Sequence, residues 1–218
     1  ELKDYQKEAF KDVIKEFKVS PRTQLIMACG TGKTLVGQRI LEKMDGKISL
    51  ILVPSLQLLE QTIEDYFKQS KWNEFPAIFV GSDSSIPRGY DGIELQPSEL
   101  KYEITTEPKV VKDFINKRFK RYVIFSTYQS ANVIGKALKG KTIDFALFDE
   151  AHKTASKKET NFAFALSDKN IRIKKRLFMT ATPRKEAIRN VKKGNDVREI
   201  FSMDDESIYG KRAHVLTF

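Results

Sequence analysis

The chain has 218 residues, of which 40% are hydrophobic, so it is long enough for one large domain or two small ones and too apolar for wholesale disorder. Its formal charge of +10 favours an acidic partner, most often nucleic acid or an anionic membrane, although a merely soluble basic protein would carry the same charge. The single cysteine excludes an internal disulfide framework, and no apolar run approaches the ~18 residues of a membrane span. We therefore expect no membrane partner.

The first residues are charged and amphipathic, unlike a signal peptide, so we expect a cytoplasmic protein. An opening glutamate in place of methionine suggests a fragment of a longer chain.

Apolar residues recur at helical spacing over residues 3 to about 18, where Phe10, Val13, Ile14 and Phe17 fall on one stripe and predict an amphipathic helix. Short apolar runs then predict strands, and several lack alternation, as strands buried on both faces do. The predicted strands are Leu25–Met27, Ile48–Val53, Ala77–Val80, Tyr122–Ser126, Ile143–Phe148 and Arg176–Thr180. The helix-period segments between them are Thr34–Met44, Leu56–Gln69, Val110–Phe119, Ala131–Lys139 and Glu159–Leu166. This alternation predicts an α/β fold with a mostly parallel sheet and helices on both faces.

Two stretches interrupt the alternation. Residues 81–106 are rich in Gly, Pro, Ser and Asp, and we expect an irregular insertion there. Residues 196–218 end in an apolar run, which is consistent either with a closing hairpin or with a connection to a missing second domain. We accordingly assign residues 1–195 to one domain.

A phosphate-binding loop is predicted in QLIMACGTGKTLV, residues 24–36, where an apolar run breaks at glycines and restarts as a helix. Gly30 and Gly32 would let the backbone approach phosphates closely. Lys33 would reach the β- and γ-phosphates, and Thr34 would offer its hydroxyl to Mg²⁺. The alternative is an ordinary strand–turn–helix with a surface lysine, but Gly-x-Gly-Lys-Thr after an apolar strand is uncommon by chance.

The loop departs from the usual pattern at one position, because Met27 stands where the first glycine is expected. We interpret Cys29 as a small loop residue and not as a nucleophile, since the chain has no second cysteine. Together with Thr31, it completes the backbone that we expect to surround the phosphates of ATP.

The second half of a nucleotide site is predicted in IDFALFDEAH, residues 143–152, where a buried strand ends in two carboxylates. Asp149 would hold Mg²⁺ through water, and Glu150 would polarise the water that attacks the γ-phosphate. An acidic pair at a strand end could also be a solvated turn. The phosphate loop upstream favours the nucleotide site, since the carboxyl ends of parallel strands meet at one edge.

The run Asp149-Glu150-Ala151-His152 resembles a DEAH box, and the chain resembles the first RecA-like motor domain of a superfamily 2 helicase or translocase. Further motifs stand in the order of that family. They are Leu2-Lys3-Asp4-Tyr5-Gln6, Val53-Pro54-Ser55 with Leu58–Gln61, Thr105-Thr106, Thr127–Ser130 and Met179–Arg184. The resemblance implies a RecA-like P-loop NTPase fold, a three-layer sandwich, with ATP and Mg²⁺ as cofactors.

The finer sequence texture, in FSTYQS, DEAHKT and RLFMTATPR, is most similar to the motors of ATP-dependent restriction enzymes and their phage or plasmid relatives. The single-polypeptide restriction enzymes are the most similar kind, which implies a bacterial protein. The family also implies that Tyr5 and Gln6 lie at the adenine, with Gln6 recognising the base. Lys3 departs from the arginine that is usual in this motif.

Small polar residues at strand ends can contact the phosphates of nucleic acid without distinguishing bases. The candidates implied by the family motifs are Pro54, Ser55, Thr105, Thr106, Thr127, Tyr128 and Gln129. For Ser55 and Thr127, a helix cap is an equally good and compatible interpretation. We expect a second set, His152 with Thr180 and Thr182, to couple the nucleotide to the nucleic acid.

Motors of this family hydrolyse ATP between two RecA-like domains, and the second domain supplies an arginine finger. No arginine motif of the family follows residue 184. We therefore expect an ATP hydrolase that is weak or inactive without a second domain and that translocates on double-stranded DNA. An RNA helicase domain and a non-motor nucleotide-dependent switch remain as alternatives.

Overall fold

The computed structural model of the protein describes residues 1–72, 75–81, 102–155, 161–183, 191–193, 196–198 and 202–217. The helices are α1 (Asp4–Glu16), α2 (Lys33–Met44), α3 (Leu56–Gln69), α4 (Pro108–Asn116), α5 (Ala131–Ala137) and α6 (Glu206–Tyr209). The strands are β1 (Arg22–Met27), β2 (Ile48–Val53), β3 (Ala77–Val80), β4 (Tyr122–Thr127), β5 (Ile143–Phe148), β6 (Ile173–Thr180), β7 (Val191–Lys193), β8 (Asp196–Arg198) and β9 (Lys211–Leu216). Among the described residues, 3₁₀ segments lie at Tyr128–Ser130, Ala151–Thr154 and Asn161–Leu166.

Seven strands form one sheet in the order β3-β4-β2-β5-β6-β1-β9. All six strand pairs in this sheet are parallel. The short β7 and β8 pair with each other in antiparallel fashion, apart from the main sheet. Parallel pairing of this kind needs a crossover between consecutive strands, which explains why helices and strands alternate along the sequence.

Helices cover both faces of the sheet, and each face has its own apolar core. One core combines α1, α2 and α3 with alternate strand residues, and its members include Val13, Ile40 and Ile63. The other core combines α4, α5 and Asn161–Leu166 with the opposite strand residues, and its members include Ile134 of α5. The central strands β2 and β4 are buried along their whole length, as their continuous apolar runs predict. The predicted three-layer α/β sandwich is confirmed.

The strands at Ile48–Val53, Ala77–Val80 and Ile143–Phe148 have the predicted bounds. The prediction for Glu159–Leu166 was wrong in type, since its described part is a 3₁₀ segment that packs its apolar residues under α5. The six residues form two of the tighter 3₁₀ turns, with three residues per turn in place of the 3.6 of an α-helix.

The two irregular stretches of the sequence are described only in part. Most of the predicted insertion, residues 82–101, lies outside the described residues. In the last stretch, β8 pairs with β7, and β9 joins the main sheet as an edge strand parallel to β1. Among the helices that the structure describes, none is long and apolar enough to cross a membrane.

Candidate nucleotide-binding site

The predicted phosphate loop connects β1 to α2 through Ala28–Gly32. Gly30 and Gly32 have φ angles of 78° and 79°, a region that glycine adopts without the penalty of a Cβ. The Thr31 amide and hydroxyl both donate to the Ala28 carbonyl, at 3.3 and 2.7 Å, and close the turn. Met27 is fully buried as the last residue of β1, so the departure from the usual pattern falls within the strand and leaves the turn to the two glycines.

The amino end of α2 is free of side-chain caps. Gly32 occupies the cap position without a side-chain hydrogen bond, and the first turn contains no acidic residue. The first amides of a helix have no partner within it and carry the positive end of its dipole. This 12-residue helix therefore presents an amino end that suits a phosphate group.

Tyr5 and Gln6 contact the phosphate loop directly. The Gln6 side-chain amide donates to the Thr31 carbonyl at 2.8 Å, and the Tyr5 hydroxyl donates to the same carbonyl at 3.2 Å. The Gln6 carbonyl oxygen accepts from the Lys3 amide at 2.9 Å, which orients the side chain. A Cβ at Gly32 would lie 2.4 Å from Gln6 Nε2, so with any other residue there the Gln6 amide would have to move from its present position on Thr31.

Lys33, Asp149 and Glu150 meet where β1 and β5 end. Lys33 Nζ lies 2.7 Å from Glu150 Oε1 and 3.6 Å from Asp149 Oδ1, and its side chain is only 10% exposed. Asp149 Oδ1 accepts from the Glu150 amide at 2.9 Å. Glu150 has a φ of 48°, unusual for a residue with a side chain, which turns its carboxylate toward the lysine. The predicted site residues are therefore brought together from positions more than 110 residues apart in sequence.

Burial raises the pKa of Asp149, the positive charge of Lys33 opposes that rise, and the neighbouring Glu150 adds to it. A carboxylate that is costly to ionise alone is stabilised in its charged form by a nearby cation. Asp149 and the half-buried Thr34 supply oxygen donors of the kind that Mg²⁺ prefers, and these residues fit a magnesium–nucleotide complex.

His152 connects the carboxylates to β6. Its Nδ1 lies 2.8 Å from Thr180 Oγ1 and 3.3 Å from Glu150 Oε2. Thr180 Oγ1 in turn accepts from the Thr182 amide at 3.2 Å. The three residues predicted to couple the sites thus form one continuous series of contacts with Glu150.

The residues predicted to contact nucleic acid lie at the same edge of the sheet but over other strands. Val53, the last residue of β2, pairs with Thr127 of β4, and Thr105 forms a bridge with Val80 of β3. Because β5 and β6 separate β2 from β1, this group is displaced from the phosphate loop, although β2 lies directly beside β5.

The individual candidates differ in what their side chains do. Ser55 caps α3 by accepting from the Leu58 amide at 3.3 Å, which confirms the capping interpretation. Thr127 is buried and donates to Ser130 Oγ at 3.2 Å. Thr106 is exposed, and Pro54 and Gln129 are half-buried.

Tyr128 and Thr105 are engaged within the protein. The Tyr128 side chain is fully buried, and its hydroxyl donates to the Asp149 carbonyl at 2.7 Å. Any contact between Tyr128 and nucleic acid would therefore have to come from the backbone of this residue. Thr105 Oγ1 accepts from the Glu107 amide at 3.1 Å.

One participant at the site was not predicted. The Leu216 carbonyl of β9 accepts from the Ala28 amide at 2.9 Å and so fixes the start of the phosphate loop. A backbone carbonyl has no signal in the sequence, and only the strand order places β9 beside β1.

The family model described as "Type III restriction enzyme, res subunit" matches residues 1–185. The chain belongs to this family. It is the first RecA-like motor domain of a superfamily 2 helicase, related to the motors of restriction enzymes, as the sequence motifs predicted.

Individual relatives agree with this assignment. The probable helicase A859L of African swine fever virus is 35% identical over 203 residues, which is 90% of this chain and 21% of the viral protein. The structure of the type ISP restriction-modification enzyme LlaBIII bound to DNA superposes with a TM-score of 0.79 at 32% identity, over 99% of this chain and 15% of that chain.

A nuclease-deletion mutant of the type ISP enzyme LlaGI, in complex with a DNA substrate mimic, gives a TM-score of 0.75 at 33% identity, over 100% of this chain and 20% of that chain. The Sulfolobus solfataricus SWI2/SNF2 ATPase core, at 21% identity and a TM-score of 0.56, shares the fold. The chain therefore spans about a fifth or less of the viral helicase and of the two type ISP enzymes.

Proposed function

We propose that this chain binds ATP and Mg²⁺ as the first motor domain of a helicase-like enzyme, which couples ATP hydrolysis to translocation on double-stranded DNA. The contact that supports this most strongly is the one between Lys33 and the carboxylates of Asp149 and Glu150, at 3.6 and 2.7 Å. A buried lysine beside two carboxylates at the amino end of an uncapped helix suits the arrangement by which P-loop NTPases bind the phosphates and Mg²⁺ of a nucleotide.

Each residue has a separate task in this proposal. Lys33 and the loop amides bind the phosphates, while Thr34 and Asp149 hold Mg²⁺. The metal supplies the positive charge that neutralises the transferring phosphoryl group. Glu150 orients the attacking water and accepts its proton. Lys33 neutralises both carboxylates in this structure, so it has to exchange those contacts for the phosphates when a nucleotide binds.

Tyr5 and Gln6 recognise the adenine in this proposal. Both side chains already hold the Thr31 carbonyl, so a base that engages Gln6 would also act on the phosphate loop. Recognition of the base and the shape of the loop are thus linked by two hydrogen bonds.

DNA is proposed as the partner because the two restriction enzymes that this chain resembles were solved with DNA or a DNA mimic. The contacts are assigned to the backbone and side chains around Pro54, Ser55, Thr105, Thr106 and the Thr127–Gln129 segment. Phosphate contacts of this kind suit a motor that moves over any sequence. The arginine finger is assigned to a second RecA-like domain, so this chain by itself would hydrolyse ATP slowly.

The first test is ATP binding by Lys33→Ala, measured by titration with a fluorescent ATP analogue in Mg²⁺. Two charge-assisted hydrogen bonds of about 1.5 kcal/mol each correspond to about 100-fold weaker binding. Lys43→Ala, an exposed lysine at the other end of the same helix, is the matched control and is expected to bind normally. Equal affinity in the two variants would contradict the assignment.

The contacts that connect Glu150 to Thr180 through His152 are tested in a longer chain that includes the second domain. His152→Ala removes the connection between Glu150 and Thr180, so we expect normal ATP binding with at least tenfold weaker stimulation of hydrolysis by double-stranded DNA. Full stimulation would show that His152 does not couple the sites. Stimulation by RNA in place of DNA would favour the RNA helicase alternative, and no stimulation by either polymer would favour a nucleotide-dependent switch.

A further inference from the structure

Positive charge is concentrated at the edge of the sheet opposite to the nucleotide site. Five neighbouring strands, in the order β3-β4-β2-β5-β6, begin at this edge. The described residues of the loops that precede them contain ten lysines and arginines but only two carboxylates. The described residues of these loops are 45–47, 70–72, 75–76, 117–121, 138–142 and 167–172, and we call them the amino-edge surface.

The charges of this surface are mostly unpaired. Among the described residues, Arg121 is the only one of the ten cations with a carboxylate partner, Asp45 at 2.7 Å. The other carboxylate, Asp168, is already bound to Arg176 at 2.6 Å and to Arg22 at 3.5 Å. The surface also has a sharp boundary, because Asp204, Asp205 and Glu206 stand before β9 at the far end of the same edge.

Favourable interactions with helix dipoles explain only part of this charge. The helices α2 to α5 run antiparallel to the strands and end at this edge, and each carries about half a negative charge at its end. Four helices therefore account for about two of the eight positive charges that remain after the two carboxylates are subtracted. A surplus of about six charges among the described residues is therefore available to a partner outside the domain.

The dimensions of the surface suit a polymer. Five strands at ~4.8 Å spacing extend about 19 Å, which matches about five successive phosphates of one DNA strand. A cleft of about 420 Å³ opens within it, between α5 and residues 167–172, and its lining includes Lys139, Lys141, Lys169 and Arg172.

We propose that the amino-edge surface is a second DNA-binding site, which holds the phosphate backbone of a duplex without sequence preference. It lies about 20 Å from the proposed motor contacts, the length of a six-residue strand. This inference shares its DNA partner with the proposed function, but it depends on neither ATP nor the carboxyl edge. A surface of this kind would keep the motor close to DNA while the other site releases it.

The test is the salt dependence of DNA binding by this chain, measured by fluorescence anisotropy with two 24-bp duplexes of unrelated sequence and without nucleotide. Lys120, Lys139 and Lys169 are exposed, and all three are changed to glutamine. Each phosphate contact contributes about 0.9 to the slope of log K against log salt, so the slope should fall by about 2.7. The matched control changes the exposed Lys11, Lys15 and Lys112 to glutamine, and its slope should change by less than 1.

Three results would overturn the proposal. Equal changes in the two triple variants would mean that only the total charge matters. A different affinity for the two duplexes would mean recognition of sequence. Tighter binding of poly-L-glutamate than of DNA at equal charge would assign the surface to an acidic protein partner.

The Lys33→Ala variant separates this inference from the proposed function. It should bind DNA as the unchanged chain does, whether or not it has lost ATP. If Lys33→Ala still binds ATP but the triple variant no longer binds DNA, the proposed motor function fails and the proposal for the amino-edge surface stands. If Lys33→Ala no longer binds ATP but the triple variant still binds DNA, the motor function stands and the proposal for the amino-edge surface fails.

Discussion

The two edges of the sheet use charge in different ways. At the carboxyl edge, the described loops carry four carboxylates and, in addition to Lys33, one lysine. The charged groups at the nucleotide site form ion pairs with one another. At the amino edge, ten cations stand with only one pair among the described residues. Paired groups define one geometry, which chemistry on a nucleotide needs. Unpaired groups create a field without a fixed geometry, which is sufficient to hold a polyanion.

The largest effect that separates the edges is expected from Gly32→Ala at the carboxyl edge. Alanine at a φ of 79° is strained, and its Cβ would lie 2.4 Å from Gln6 Nε2. The phosphate loop and the Gln6 side chain that contacts it therefore cannot both keep their positions. We expect more than 100-fold weaker binding of the fluorescent ATP analogue, with unchanged DNA binding at the amino edge.

Gly30→Ala is the matched control, because Gly30 has a φ of 78° but no atom within 4 Å of the added Cβ. Its strain of about 1–2 kcal/mol predicts a loss of about tenfold. If the two variants lost the same affinity, backbone strain alone would explain the result, and the contact with Gln6 would have no role.

The next effect concerns stability at the amino edge. Arg176 is fully buried, and Asp168 binds it at 2.6 Å. Asp168→Asn removes a charged hydrogen-bond partner of the buried Arg176. Because the Asp168 side chain is itself 60% exposed, solvent screening reduces the loss, and we expect the free energy of unfolding in urea to fall by about 1–2 kcal/mol, without a change in ATP binding. Asp144→Asn is the control: its charged partner Lys174 is largely exposed, and the asparagine oxygen can still accept from the Ile48 amide, so the loss should be below about 1 kcal/mol.

The effect of Asp168→Asn should depend on pH. Burial raises the pKa of Asp168, but the hydrogen bond and charge of Arg176 outweigh it and leave the pKa below its usual value. A lowered carboxyl pKa stabilises the folded state above the unfolded pKa of about 3.9 and loses that effect as pH falls through the folded pKa. The difference in the free energy of unfolding between the unchanged chain and Asp168→Asn should be complete at pH 7 and shrink below about pH 4. A constant difference would mean that the loss comes from packing.

The carboxyl edge was largely predictable from sequence and the amino edge was not. Lys33, Asp149 and Glu150 lie in short motifs whose residue types are dictated by phosphate chemistry, so their meeting could be predicted from the alternation of strands and helices. The amino-edge cations come from five separate loops, and only the strand order makes neighbours of them.

Two details show where local sequence was insufficient at the site itself. Thr-Tyr-Gln-Ser is a polar sequence, yet Tyr128 is fully buried because the 3₁₀ turn directs its ring into the core, where its hydroxyl finds the Asp149 carbonyl. The contact of Gln6 with Thr31 is likewise made to a backbone carbonyl, for which no residue type is diagnostic.

The smallest expected effect tests whether a cap can also contact DNA. Ser55 accepts from the Leu58 amide at 3.3 Å, and Ser55→Ala should lower the free energy of unfolding by about 1 kcal/mol. Aspartate is as good a cap as serine, so Ser55→Asp should keep the stability while placing a negative charge at the proposed phosphate contact.

In a chain that carries Lys120, Lys139 and Lys169 as glutamine, the remaining DNA binding reports on the carboxyl edge. Weaker DNA binding by Ser55→Asp, with unchanged unfolding, would assign Ser55 to both tasks, whereas unchanged DNA binding would leave it as a cap alone.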